Sequence, residues 1–140
     1  DTDGHIDPLC RFFESGKVVT ARCQQSPHPD FAILEENRER LLQLGLEVVD
    51  LPHPEPVTAH DAREERLPAT YANFLILNGA LIVPTYAQPD LDIRACGLLG
   101  DLFPSRRVIP LDTREILWEG GSFHCLSQHQ PLSPIPAKSY

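Results

Sequence analysis

In the stretch GGSFHCLSQHQP, Cys125 follows the glycine pair Gly120-Gly121. Glycine tolerates backbone angles that other residues avoid, which lets a chain pass close to a ligand. A thiol there can act as a nucleophile or metal ligand only as the thiolate, which needs a cation, a histidine or a helix N-terminus nearby. A buried, inert thiol is the plainer alternative. His124 is adjacent, but an extended SFHCLS segment (122–127) sends neighbouring side chains to opposite faces. That pattern predicts a packed or structurally hydrogen-bonded His124 rather than a partner for Cys125.

A second cluster stands in DTDGHIDPLC, where His5 and Asp7 are separated by one residue. An extended segment puts both on one face, which suits proton transfer by His5 beside a carboxylate that holds a cation. The same pair is also able to chelate a metal. His28, His53, His60 and His129 fall in loop-like segments without ligand spacing, and Cys10, Cys23, Cys96 and Cys125 form no C-x-x-C pair. The four thiols read as reduced, in a cytoplasmic setting, with three of them structural and Cys125 open to chemistry.

These residues need a scaffold, and the composition supplies one. A chain of 140 residues, 41% apolar and 23% charged, is of one-domain length and globular in character. A domain of that size buries roughly 70% of its unfolded surface. The formal charge of −8 argues against nucleic acid or an anionic membrane as partner and suits cationic ligands. The longest apolar run, FLILNGALIV, is broken by a turn signal and falls short of the roughly 18 residues a membrane span needs.

The elements repeat. LCRFFE (9–14) and VVTARC (18–23) flank a Ser-Gly-Lys turn and predict a hairpin. Asp30 is placed to cap a helix carrying Phe31, Leu34, Leu41, Leu42 and Leu44, closed by Gly45, and LEVVDL (46–51) follows as a buried strand. The second half shows the same order: YANFLIL (71–77) and ALIVPTY (80–86) around Asn78-Gly79, a strong hairpin signal, then a helix capped by Asp90 with Leu91, Ala95, Leu98, Leu99 and Leu102 on one stripe. Pro104 stops that helix and RRVIPL (106–111) returns as a strand. Asp30 to Asp90 and Leu51 to Leu111 are both steps of 60 residues, the mark of two ββαβ units over about 9–51 and 71–111. The proline- and charge-rich stretch 52–69 reads as a surface connection, 114–131 as the cysteine segment, and 132–140 as a loose proline-rich tail.

TDGHIDPLCRF, YANFLILNGALIVPTYAQPD and GGSFHCLSQHQP together resemble blocks of the agmatine deiminases and related bacterial-type peptidylarginine deiminases, from Asp3 to Pro131. The resemblance implies an α/β fold, part of a pentein (five-bladed α/β propeller), with about two complete ββαβ units and flanking catalytic segments. It implies Cys125 as nucleophile, His5 as general acid/base, Asp7 as the carboxylate that binds the substrate guanidinium, and Gly120 and Gly121 as substrate-binding backbone. It implies hydrolysis of a guanidine to a ureido group and ammonia, agmatine to N-carbamoylputrescine being favoured over peptidyl-arginine or free arginine, with no metal or organic cofactor. Family members often carry three glycines and an asparagine where this chain has Glu119, Gly120, Gly121 and Ser122.

The full ring also has an N-terminal half with a second guanidinium-binding carboxylate, to which nothing here corresponds. The chain is therefore expected to be a C-terminal portion whose partners are a cationic guanidine and the rest of the ring, and to self-associate through exposed apolar faces. The competing expectation is a non-catalytic pentein fragment acting as a binding or structural module.

Overall fold

The computed structural model describes residues 5–23, 28–59 and 66–130. The start of the first block (1–4), residues 60–65 of the connection with His60, and the tail 131–140 lie outside the described residues.

Strands β1 (Cys10–Glu14) and β2 (Lys17–Arg22) pair antiparallel around a turn in which Gly16 takes φ +74°. Helix α1 (Phe31–Gln43) crosses over to β3 (Glu47–Pro52), which lies parallel to β2 from Lys17↔Glu47 to Arg22↔Pro52. The connection adds a two-residue pairing of β4 (Val57–Thr58) with β5 (Arg66–Leu67). Strands β6 (Leu75–Leu77) and β7 (Ala80–Thr85) then form the second hairpin, and α2 (Pro89–Leu102) carries the chain to β8 (Arg107–Asp112), parallel to β7. The two sheets, β1-β2-β3 and β6-β7-β8, have the same order. A helix is the economical way to join parallel neighbours, so each half closes one βαβ crossover behind a hairpin.

Both halves feed one core. Val19 and Leu51 from the first sheet are buried with Tyr71, Phe74, Leu81, Val83, Leu99 and Leu117 from the second half. The connection is less superficial than its composition predicts, because Ala59, Leu67 and Ala69 are buried in that core. Among the described residues, no helix is long and apolar enough to cross a membrane.

Several local expectations are corrected. YANFLIL is not a strand throughout: Tyr71–Asn73 form a short 3-10 turn, because Thr70 Oγ1 accepts the Ala72 N–H at 3.2 Å and the Tyr71 hydroxyl reaches Asp92 at 2.6 Å. The α1 stripe is only partly internal, with Leu34 buried and Leu42 and Leu44 exposed. Asp30 stands at the N-cap of α1, but its carboxylate caps nothing; it pairs with His53 at 3.1 Å and with Arg66. In α2 the N-cap is Gln88, whose own side chain caps nothing; the carboxylate that reaches back to close the helix start is Asp92, not Asp90. Asp92 accepts the backbone N–H groups of Tyr86 (3.1 Å) and Gln88 (2.9 Å) as well as the Tyr71 hydroxyl.

Replacing Asp92 by alanine leaves three donors without their acceptor, and is expected to cost about 2–3 kcal/mol in urea unfolding. Asp90→Ala should stay within about 0.5 kcal/mol of the parent. Equal losses in the two variants would restore Asp90 as the cap.

Candidate active site

Beyond β8 the chain makes a 3-10 turn at Leu117–Glu119, anchored by the buried Leu117 side chain, and turns again through Gly120 at φ +92°. That left-handed backbone favours glycine. Gly121 is held by space: a Cβ there would lie 2.6 Å from both Cβ and Sγ of Cys125. The next residues do not extend. Leu126 N–H donates to the Ser122 carbonyl at 3.0 Å and Ser127 N–H to that of His124 at 3.1 Å, so 123–126 coil into a turn. The alternation of faces expected for 122–127 is lost with the strand.

His124 is hydrogen-bonded, as expected, but its partner is the carboxylate that also meets the thiol. His124 Nδ1 and Cys125 Sγ both meet the same oxygen, Asp7 Oδ2, at 2.7 and 3.3 Å. Asp7 reaches them from a turn, not a strand, since Leu9 and Cys10 N–H both donate to the Ile6 carbonyl at 3.0 Å. Thr70 Oγ1 fixes that turn by donating to the Pro8 carbonyl at 2.8 Å. His5 therefore does not share a face with Asp7. It is exposed, in the wall of a separate cavity of about 250 Å³ with His28, Asp30, His53 and Arg66, and no contact joins it to Cys125 among the described residues.

Two further residues complete the arrangement. Asn73, 1% exposed, accepts the N–H groups of His124 (2.8 Å) and Cys125 (3.2 Å) through Oδ1 and donates from Nδ2 to Cys125 Sγ at 2.8 Å. The sequence carried a signal for it: an amide inside the apolar run YANFLIL has to find partners when buried. Arg11 lies over the Phe74 ring at 4.9 Å and donates to the carbonyls of Ala72 (3.4 Å) and Phe74 (3.0 Å), close enough to feel the charges of Asp7 and Cys125.

The electrostatics follow from these contacts. Burial works to raise the Asp7 carboxyl, but hydrogen bonds with His124 and Cys125 outweigh it and hold Asp7 below the usual carboxylate range. Burial pushes the Cys125 thiol up; the Asn73 hydrogen bond opposes that shift and the Asp7 carboxylate adds to it. An anion, a thiol and an imidazole thus converge at a spot where Cys125 is exposed. Such a spot attracts a cation, and a cation beside Asp7 offsets the carboxylate's share in keeping the thiol protonated.

Comparison with known proteins agrees. A family model described as Porphyromonas-type peptidyl-arginine deiminase matches residues 1–131. The chain belongs to that family. Its relatives include the agmatine deiminases of Stutzerimonas stutzeri (34% identical) and Pseudomonas fluorescens strain SBW25 (33%), each aligned over 94% of this chain and 41% of the relative. The chain thus spans about 41% of the length of these curated relatives. Among solved structures, a C. jejuni agmatine deiminase superposes with TM-score 0.80 at 35% identity, covering 88% of this chain and 38% of that one. The Enterococcus faecalis agmatine deiminase superposes with TM-score 0.86 at 25% identity, covering 94% and 41%. The two ββαβ units of this family member are a partial pentein.

Because the Asp7 carboxylate raises the Cys125 thiol, Asp7→Asn should move the alkylation midpoint of Cys125 by iodoacetamide to lower pH; an unchanged or higher midpoint would refute that coupling. In Gly121→Ala the added methyl displaces the thiol. The folded protein should keep its circular dichroism while Cys125 alkylation loses its distinct pH profile.

Proposed function

We propose that the protein is a deiminase that hydrolyses a guanidine to a ureido group and ammonia, with agmatine as the favoured substrate and N-carbamoylputrescine as product. The observation that carries this reading is the convergence of Cys125 Sγ and His124 Nδ1 on one oxygen of Asp7. A carboxylate in that position binds a planar guanidinium through paired hydrogen bonds. The bound cation then favours the Cys125 thiolate. Sulfur attacks the guanidinium carbon, a proton is delivered to the departing nitrogen, and ammonia leaves a thiouronium adduct. Water, activated by the same base, adds to that carbon and expels the thiolate. Every group these steps use is a side chain or water.

The family resemblance assigns the proton transfers to His5. The hydrogen bond from His124 to Asp7 favours a second assignment, in which His124 carries the proton. Peptidyl-arginine and free arginine are the alternative substrates, supported by the family's description. A non-catalytic pentein module is the alternative to an enzyme. The greater length of the relatives supports further ring units as partner of this chain. The exposed Ile6, Phe12, Trp118 and Leu126 support self-association in their absence. Four free cysteines support a cytoplasmic setting.

A haloacetamidine, which presents a guanidinium-like cation to a thiol, tests the reading without requiring turnover. Labelling should fall on Cys125 ahead of Cys10, Cys23 and Cys96, slow in the presence of agmatine, and decline in Asp7→Asn. Uniform labelling would favour the module. Where ammonia release from agmatine is measurable, Cys125→Ala should abolish it. His5→Gln and His124→Gln then divide the proton role: the variant that loses the ionisation governing kcat identifies the carrier.

A further inference from the structure

We propose that Cys23, His28 and His53 form a binding site for a zinc-class divalent cation, apart from the Cys125 site. Ligand spacing along the chain does not mark it, because the ligands come from three places: Cys23 directly after β2, His28 just before α1, and His53 directly after β3. The fold brings one potential ligand atom from each within 4.8 Å of the others. Tetrahedral zinc, with bonds of about 2.0 Å to nitrogen and 2.3 Å to sulfur, spaces its ligand atoms about 3.5 Å apart. Side-chain rotations that close the remaining gap are enough.

The second observation is an orphan. The His53 side chain is only 9% exposed, and its Nδ1 is buried without any hydrogen-bond partner. A buried ring nitrogen left unpaired costs free energy unless something takes its lone pair. Its other nitrogen faces Asp30 Oδ2 at 3.1 Å, and Asp30 is itself held by Arg66. A carboxylate behind the distal nitrogen is the usual support of a metal-bound histidine. His28 has a comparable brace in the Pro54 carbonyl, 3.2 Å from Nε2. One His28 ring nitrogen has to exchange its present partner, the Asp30 N–H or the Pro54 carbonyl, for the ion.

Room and charge are compatible. A cavity of about 90 Å³ is lined by Cys23, His28, His53 and Glu55, with Arg22 and Arg94 on its wall. Arg22 is already neutralised by Glu35 (2.9 Å) and Asp50 (2.5 Å). Glu55 or a water supplies the fourth ligand. One sulfur and two imidazoles suit zinc and its neighbours rather than magnesium or calcium, which prefer oxygen. The Cys23 thiol gives its proton to solvent as the metal–sulfur bond forms. The ion would clamp the ends of β2 and β3 to the start of α1. His28 and His53 also line the cavity that holds His5, so occupancy would stiffen that wall.

The test uses the 140-residue chain after chelator treatment and titration with cobalt(II), then zinc(II). One equivalent of cobalt should give a thiolate-to-cobalt charge-transfer band that zinc abolishes. Cys23→Ser should lose the band, Cys125→Ser should keep it, and His53→Gln should weaken binding by about tenfold or more. Zinc should raise the melting temperature of the parent and not of His53→Gln, a comparison that stands even if Cys23→Ser fails to fold. No band from the folded parent, or a band that survives Cys23→Ser and vanishes in Cys125→Ser, overturns the proposal. Neither result bears on the deiminase reading.

Discussion

A buried amide has to find partners, and Asn73 finds them in the loop that carries Cys125. Its oxygen accepts two successive N–H groups and its nitrogen reaches the sulfur. Low dielectric strengthens those bonds and makes their absence expensive. The loop is thereby fixed at both backbone and side chain. Asn73 is itself placed by the 3-10 turn that Thr70 starts, and Thr70 also holds the Asp7 turn through the Pro8 carbonyl. The sulfur, the carboxylate and the scaffold between them are therefore tied by two polar residues, Thr70 and Asn73, in the middle of the chain.

Around that frame the charges are arranged to wait. Asp7 is kept ionised by its neighbours while Cys125 is kept protonated partly by Asp7. Arg11, held against Phe74 and two carbonyls, supplies a positive charge near Asp7 and Cys125. A thiol that is inert alone and gains thiolate character beside a cation is protected from incidental oxidation and alkylation, which act on the thiolate. Burial and the charge at Asp7 thus act on the thiol in the same direction.

The repeat of elements was legible because it rests on local signals: hairpin turns, helix stripes and strands at equal spacing. Gly45 and Gly79 take φ +75° and +78° where the chain turns. What the residue types did not reveal was which polar side chain serves which neighbour. Asp30 and Asp92 both flank helices, yet one is drawn to His53 and Arg66 and the other caps, because tertiary partners compete with local ones. Likewise the assumption of extended segments at 5–7 and 122–127 did not survive, because both stretches turn. Two tight turns, one at 6–9 and one at 123–126, bring His124 to Asp7, while His5 lines another cavity. The Cys23, His28 and His53 cluster was invisible for the same reason: its parts meet only through the β2-β3 pairing.

The contact between Asp7 and Cys125 joins residues 118 positions apart. Two units of like design lie between them; Asp7 precedes the first and Cys125 follows the second, while Arg11 and Asn73 come from within the units. Closing so long a loop is an entropic cost that only the assembled core can offset. An incompletely folded chain therefore carries four ordinary cysteines, and one becomes distinct when the ends meet. The contacts with Asn73 and Asp7 that set the Cys125 thiol apart from the other three thus exist only once the chain has folded.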